Sequence, residues 1–257
     1  MRFGTALVLV ALAGSAPRAQ QAPAPVTLDV VVEGGRGRDV LNPADFTVRD
    51  GSTPMVVASA RLVEPSSATA PLQAVSNDED ETRAAAMADR IVGVYIDEYH
   101  LAAGAQFAQA RAAVAAFLRR ELGPRDLVVV LKPLDSLLSI RMTSDREGAA
   151  RIVEGAKARE GDYTPTSALE QELMAGAPRR IDEARRQITW SALGALAAHL
   201  GQFPAGRKTL LLVSDGIAGS APARSGLPLP GVESIVHTAN RARVAIYAVR
   251  PSDDTTT

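Results

Sequence analysis

Ile91-Val92-Gly93-Val94-Tyr95-Ile96-Asp97-Glu98-Tyr99-His100 runs without alternation from apolar, β-favouring residues into two carboxylates. A strand covered on both faces reads this way when its C-terminal end opens to solvent. Ligands of open α/β sheets bind at such ends. Three further runs read as buried strands: Asp126-Leu127-Val128-Val129-Val130-Leu131, Thr209-Leu210-Leu211-Leu212-Val213 and Val244-Ala245-Ile246-Tyr247-Ala248-Val249. Residues 136–142 alternate at Leu138, Ile140 and Met142 and predict a half-exposed edge strand. Between the strands lie helical patterns. Phe107, Ala110, Val114, Phe117 and Leu118 repeat at helical spacing up to the stop at Gly123-Pro124. Ser144-Asp145-Arg146-Glu147 reads as a capping box opening a helix to about Ala158. Pro178 opens a long amphipathic helix with Ile181, Ile188, Ala192, Leu196 and Leu200 on one stripe, and Val232, Ile235, Val236 and Ala239 mark another. Strands alternating with helices predict an α/β fold with a doubly wound, mainly parallel sheet.

Upstream of that domain, residues 26–32 read as a strand, Asp45-Phe46-Thr47-Val48-Arg49-Asp50-Gly51 as a second ending in a turn, and residues 55–63 as a third. Together they predict a small β unit over 26–64. Residues 65–88 are rich in Ser, Ala, Pro and acids and read as a linker, with Asn77-Asp78-Glu79-Asp80-Glu81 as a solvated charge run. That run lacks the spacing and glycine of a calcium loop. Arg2, the apolar run from Ala6 to Ala13 and the small residues after it predict a secretory signal peptide over 1–22, too short to span a bilayer. No later segment reaches transmembrane length, so the expectation is a secreted or periplasmic protein. The expected order is therefore leader 1–22, β unit 26–64, linker 65–88, α/β domain 89–251 and tail 252–257.

With 28 basic against 29 acidic residues and no basic block, the chain lacks the electrostatic footprint of a nucleic-acid binder. Cysteine is absent from its 257 residues, which removes thiol catalysis, thiolate zinc and disulfides. It carries no nucleophile elbow, phosphate loop or zinc motif.

Two of the buried strands end in carboxylates, Asp97-Glu98 and Asp215, and the loop Gly161-Asp162-Tyr163-Thr164-Pro165-Thr166-Ser167 lies between them in sequence. With the run from Asp45 to Gly51 and Gly206-Arg207-Lys208-Thr209-Leu210-Leu211-Leu212-Val213-Ser214-Asp215-Gly216, they make the chain resemble a von Willebrand factor A domain. In finer detail it is similar to the VWFA-related proteins of acidobacteria, and the likeness covers most of the chain after the leader. The resemblance implies a von Willebrand factor A-like sandwich in which Asp97, Thr164 or Thr166 and Asp215, with Glu98 beside them, supply oxygens to magnesium or calcium. Tyr99 and Leu101 stand where the family places two serine ligands, so the ion site is degenerate. Tyr99, His100, Asp162 and Ser214 complete the expected binding rim. The implied function is an exported, non-catalytic binding or adhesion module for a protein or cell-envelope partner. A metal-free scaffold is the alternative. An aspartate ending a first buried strand is also how haloacid-dehalogenase-like phosphohydrolases place a nucleophile, although the acid/base position two residues on is Tyr99.

Plainer roles are open to the same residues. Strand-end carboxylates accept bonds from nearby loop N–H groups, and Ser167-Ala168-Leu169-Glu170 is itself a capping box. His199 and His237 fall on predicted helices, and Trp190 reads as core. The resemblance also implies one more helix and an edge strand after residue 249. Without them the last strand is an exposed edge, against which the β unit is expected to pack.

Overall fold

The computed structural model describes Val30 and residues 42–60, 70–135, 140–173, 175–203, 207–217 and 231–251. The expected leader, the tail and the strand at 26–32 apart from Val30 lie outside the described residues. In chain order the elements are β1 (Val48–Asp50), β2 (Thr53–Met55), α1 (Asp78–Met87), β3 (Arg90–Ile96), α2 (Ala105–Arg120), β4 (Asp126–Leu131), α3 (Arg146–Glu154), α4 (Ala168–Leu173), α5 (Pro178–Gly201), β5 (Arg207–Val213), α6 (Val232–Ala242) and β6 (Val244–Val249).

Strands β3 to β6 form a parallel sheet in the order β4-β3-β5-β6, and the protein is a doubly wound α/β fold as its pattern predicts. β3 lies at the centre because both of its faces are apolar. Val92, Val94 and Ile96 face α2 and α3, while Ile91 and Tyr95 face α5. Gly93 lets α5 approach closely, since a Cβ there would stand 3.1 Å from Leu200 Cδ1. β3 is flanked by β4 on one side and β5 on the other, so the winding reverses at β3 and the switch-point crevice lies between the C-terminal ends of β3 and β5.

Several expectations need correction. Ten residues of the segment read as a linker over 65–88 are helix α1. Its four leading acids favour a helix N-terminus, where the Asn77 side chain accepts the Asp80 amide. Ala84 and Ala85 are buried, and Glu81 accepts bonds from the Met142 amide at 2.7 Å and lies 3.2 Å from His199 Nε2. Helix α3 is capped by Asp145, which accepts the Gly148 amide, in place of Ser144, and it ends at Glu154, four residues before the expected stop. The β unit is described as the antiparallel hairpin β1–β2, with residues 56–60 outside any strand and Val56 94% exposed. Val30, the one described residue of the first expected strand, is outside any strand and exposed. Of the expected edge strand at 136–142, residues 136–139 lie outside the described residues. Residues 140–142 carry no strand, and Thr143 makes a single antiparallel bridge to Val128.

Candidate functional site

The end of β3 delivers Asp97 into the crevice, where it is fully buried. A turn of 3-10 helix at Glu98–His100 folds the chain back, so that His100 Nδ1 sits 2.9 Å from each Asp97 oxygen. From β5, the Ser214 hydroxyl donates to Oδ2 at 2.8 Å, and from α5 the Thr189 hydroxyl donates to Oδ1 at 3.1 Å. A carboxylate offers about four lone-pair directions. The imidazole, threonine and serine between them engage both oxygens.

The crevice is stitched further along its length. The Asp97 amide donates to Val213 O at 3.0 Å, the Asp215 amide to His100 O at 3.2 Å, and the Ala102 amide to Asp215 Oδ2 at 3.0 Å. Gly216 follows at φ +127, a backbone that side-chain-bearing residues rarely adopt, and this lets its amide turn back onto Ser214 Oγ at 3.2 Å.

The residues expected to share a cation are therefore not one donor set. The Glu98 carboxylate accepts the Lys157 amide at 2.8 Å. The Thr166 hydroxyl donates to Glu170 at 2.7 Å, and the Thr164 carbonyl accepts from Arg159 at 2.6 Å. Asp215 holds the Ala102 amide. Among the described residues no three His, Asp or Glu side chains group to hold a metal. A hard cation needs six or more oxygens. The side chains present do not fit magnesium or calcium, because His100 occupies the approach to Asp97, Asp215 accepts the Ala102 amide, and Glu98 and Thr166 bond to other partners. Asp97 is sealed from solvent, and Tyr99, at the acid/base position, is turned away to Glu170.

Beside the crevice the loop over 159–170 is held from beneath by a second cluster. Arg159 and Glu170, with side chains 7% and 1% exposed, form an ion pair at 2.7 Å. The Tyr99 hydroxyl donates to Glu170 at 3.2 Å. The Arg185 guanidinium stacks on the Tyr99 ring at 4.6 Å and the Tyr163 ring at 5.0 Å, donating also to the Arg159 carbonyl at 3.2 Å and to the Asp162 carbonyl. Burial pushes the Glu170 carboxyl up, but the Thr166 hydroxyl and amide and the Arg159 guanidinium outweigh it and hold the group below its usual range. Burial, reinforced by the Glu170 charge, raises the Tyr99 hydroxyl, and burial followed by Arg159 lowers Arg185.

Of the expected rim residues, the structure brings Asp97, His100 and Ser214 together and joins Asp215 to the same crevice. Tyr99 belongs to the neighbouring buried cluster. Asp162 and Thr164 form an exposed turn in which the Thr164 amide donates to Asp162 Oδ1 at 2.9 Å. The expected capping box is half present: Ser167 accepts the Glu170 amide at 3.1 Å, while the Glu170 carboxylate turns to Thr166 and Arg159. Sequence reasoning missed Thr189, Arg185, Arg159 and Glu170. A signal existed for two of them. Arg185 and Thr189 continue the spacing of Ile181 toward Leu193 and Leu196, so they are polar residues inside an apolar stripe, and all five are buried.

Comparison with family models, with curated proteins and with solved structures finds no match for this chain.

Proposed function

We propose that this chain is an exported, non-catalytic binding module of the von Willebrand factor A-like class, and that it recognises a protein or cell-envelope partner through the rim at the C-terminal ends of its strands. The observation that carries this reading is the staple beneath the rim loop. Arg159, Glu170 and Arg185 fix the loop from below, while Asp162, Thr164, Thr166 and the apolar Leu169 and Leu173 of α4 are exposed. A rigid loop displaying polar and apolar groups is pre-organised, and binding then costs little ordering entropy. The closed bonding of Asp97 supports recognition without a resident cation, in place of the ion-bridged contact that the resemblance implies. The leader-like start of the chain supports export.

Capture of envelope components on the immobilised protein tests the reading, with cross-linked peptides mapped by mass spectrometry. Cross-links should fall on residues 160–173, capture should survive a chelator, and Leu169→Glu should lower it at least tenfold. Abolition by the chelator would restore the cation-dependent reading. Capture unchanged by Leu169→Glu would move the contact away from this rim. Export is checked separately, by an N-terminus between about residues 17 and 25 in the secreted fraction.

A further inference from the structure

Asp-Gly occurs twice in the chain, at Asp50-Gly51 and at Asp215-Gly216. At such a step the following amide nitrogen stands one ring closure from the side-chain carboxyl. An intramolecular attack of this kind needs no catalyst wherever the backbone can turn into it. Glycine favours the closure, because it sets no Cβ against the incoming carboxyl and rotates freely. The fold treats the two steps oppositely.

At Asp215 both reacting groups are engaged. The carboxylate accepts the Ala102 amide at 3.0 Å, and the Gly216 amide donates to Ser214 Oγ at 3.2 Å. The Asp215 amide donates to His100 O at 3.2 Å, which fixes the backbone on the other side of the residue. At Asp50 neither restraint is present. Asp50 ends β1, and Gly51 opens the turn to β2 at φ +58, with no atom within 4 Å of where a Cβ would stand. Asp50, Gly51, Ser52 and Thr53 are all exposed, and among the described residues no hydrogen bond engages the Asp50 carboxylate. The hairpin adds little stiffness. Its strands are three residues each, β2 is exposed throughout, and a lone two-stranded hairpin is marginal in water.

We propose that Asp50-Gly51 is a site of spontaneous isoaspartate formation, and that the bonding at the rim protects Asp215-Gly216 from the same reaction. The Gly51 nitrogen bonds to Cγ of the protonated Asp50 carboxyl, and the nitrogen's hydrogen leaves with the carboxyl hydroxyl as water, closing a succinimide. Water then adds back to one of the two ring carbonyls. Addition at Cγ breaks its bond to nitrogen and restores Asp50. Addition at the Asp50 main-chain carbon breaks that bond instead, so the chain runs on through the side-chain carboxyl and the α-carboxylate is set free. The composition is unchanged, but the backbone is longer by one methylene. That insertion breaks the register that pairs Asp50 with Thr53 and Arg49 with Pro54. The site lies on the hairpin and does not depend on the function proposed for the rim.

The test incubates the full chain for several weeks at neutral pH and physiological temperature in heavy-oxygen water. Each passage through the ring fixes one solvent oxygen in the residue, and digestion in ordinary water followed by mass spectrometry reads it. The peptide holding Asp50 should carry at least tenfold more label than the peptide holding Asp215. Its isoaspartyl form should elute separately and resist a protease that cuts before aspartate. Asp50→Glu, which would need a larger ring, should abolish label at that site and leave melting near the parent's, since the residue is exposed. In urea above the unfolding transition the two steps should label alike, because only the fold distinguishes them. No label at Asp50, or equal label at both steps in the native protein, would overturn the proposal. So would a gap that persists in urea, since the sequence around each step and not the structure would then set its rate.

Discussion

At the scale of single residues, Asp97 acts as an acceptor that three different elements need. Replacing it by Ala strands the Thr189 and Ser214 hydroxyls and the His100 imidazole together. Each orphaned buried donor costs on the order of 1–3 kcal/mol, so Asp97→Ala should lose at least about 3 kcal/mol in urea unfolding. A loss below about 1 kcal/mol would mean that water replaces the carboxylate easily and the crevice is looser than its bonds imply. Glu170 gives a pH prediction with a definite sign. Its native carboxyl is held below its ordinary value of 4.5, so the unfolded chain binds its proton more readily. The stability its charge contributes is complete above that ordinary value and is lost as pH falls through the lowered native one. Glu170→Gln should flatten the acid limb of stability against pH. At neutral pH it should cost on the order of 3 kcal/mol, because Arg159 stays buried without its partner. Parallel acid limbs in parent and variant would remove Glu170 as the source. Reading the sequence alone finds Asp97, since a carboxylate ending an apolar run is conspicuous. It does not find Glu170, whose role depends on a fold-back that no local pattern encodes.

At the scale of elements, the contact between β3 and α5 rests on a missing side chain. Gly93→Val should lose roughly 1–3 kcal/mol, because its branched side chain must displace Leu196 and Leu200 from a packed face. Thermal melting of that variant within a degree or two of the parent would show that α5 can shift without cost. β6 was legible in the sequence to its described bounds and α6 in its apolar stripe, since unbroken apolar runs and i, i+3, i+4 spacing are local signals. α1 was not. Its residues are polar on most faces, and what holds it is a buried Glu81 satisfied by the Met142 amide and His199, which lie 61 and 118 residues away. The acidic run that reads as solvated is in part an N-terminal dipole partner and in part a buried anchor.

For the molecule as a whole, the rim works as a closed hydrogen-bonded junction between β3, β5 and α5. A ligand that binds only the native state raises the melting temperature by mass action, so magnesium or calcium at a few millimolar should leave the parent's melting temperature unchanged, and calorimetry should register no saturable heat. A rise of several degrees would show that cations displace His100 and that the site opens. The double change of Tyr99 and Leu101 to Ser, which the resemblance singles out for restoring a cation site, is the wrong experiment in this fold. Leu101 is fully buried and Tyr99 lies between Arg185 and Glu170, so both changes would empty packed positions before any metal could benefit. By itself the sequence determined the class of the fold, the order along the chain of its four parallel strands and the place where the first of them surrenders its carboxylate. All of these follow from hydrophobic periodicity, which neighbouring residues set among themselves. Only the tertiary structure decided what that carboxylate does. The answer depends on His100 three residues on, Thr189 far along a helix and Ser214 at the end of another strand converging on two oxygens, and convergence over such separations is a property of packing that one-dimensional spacing does not carry.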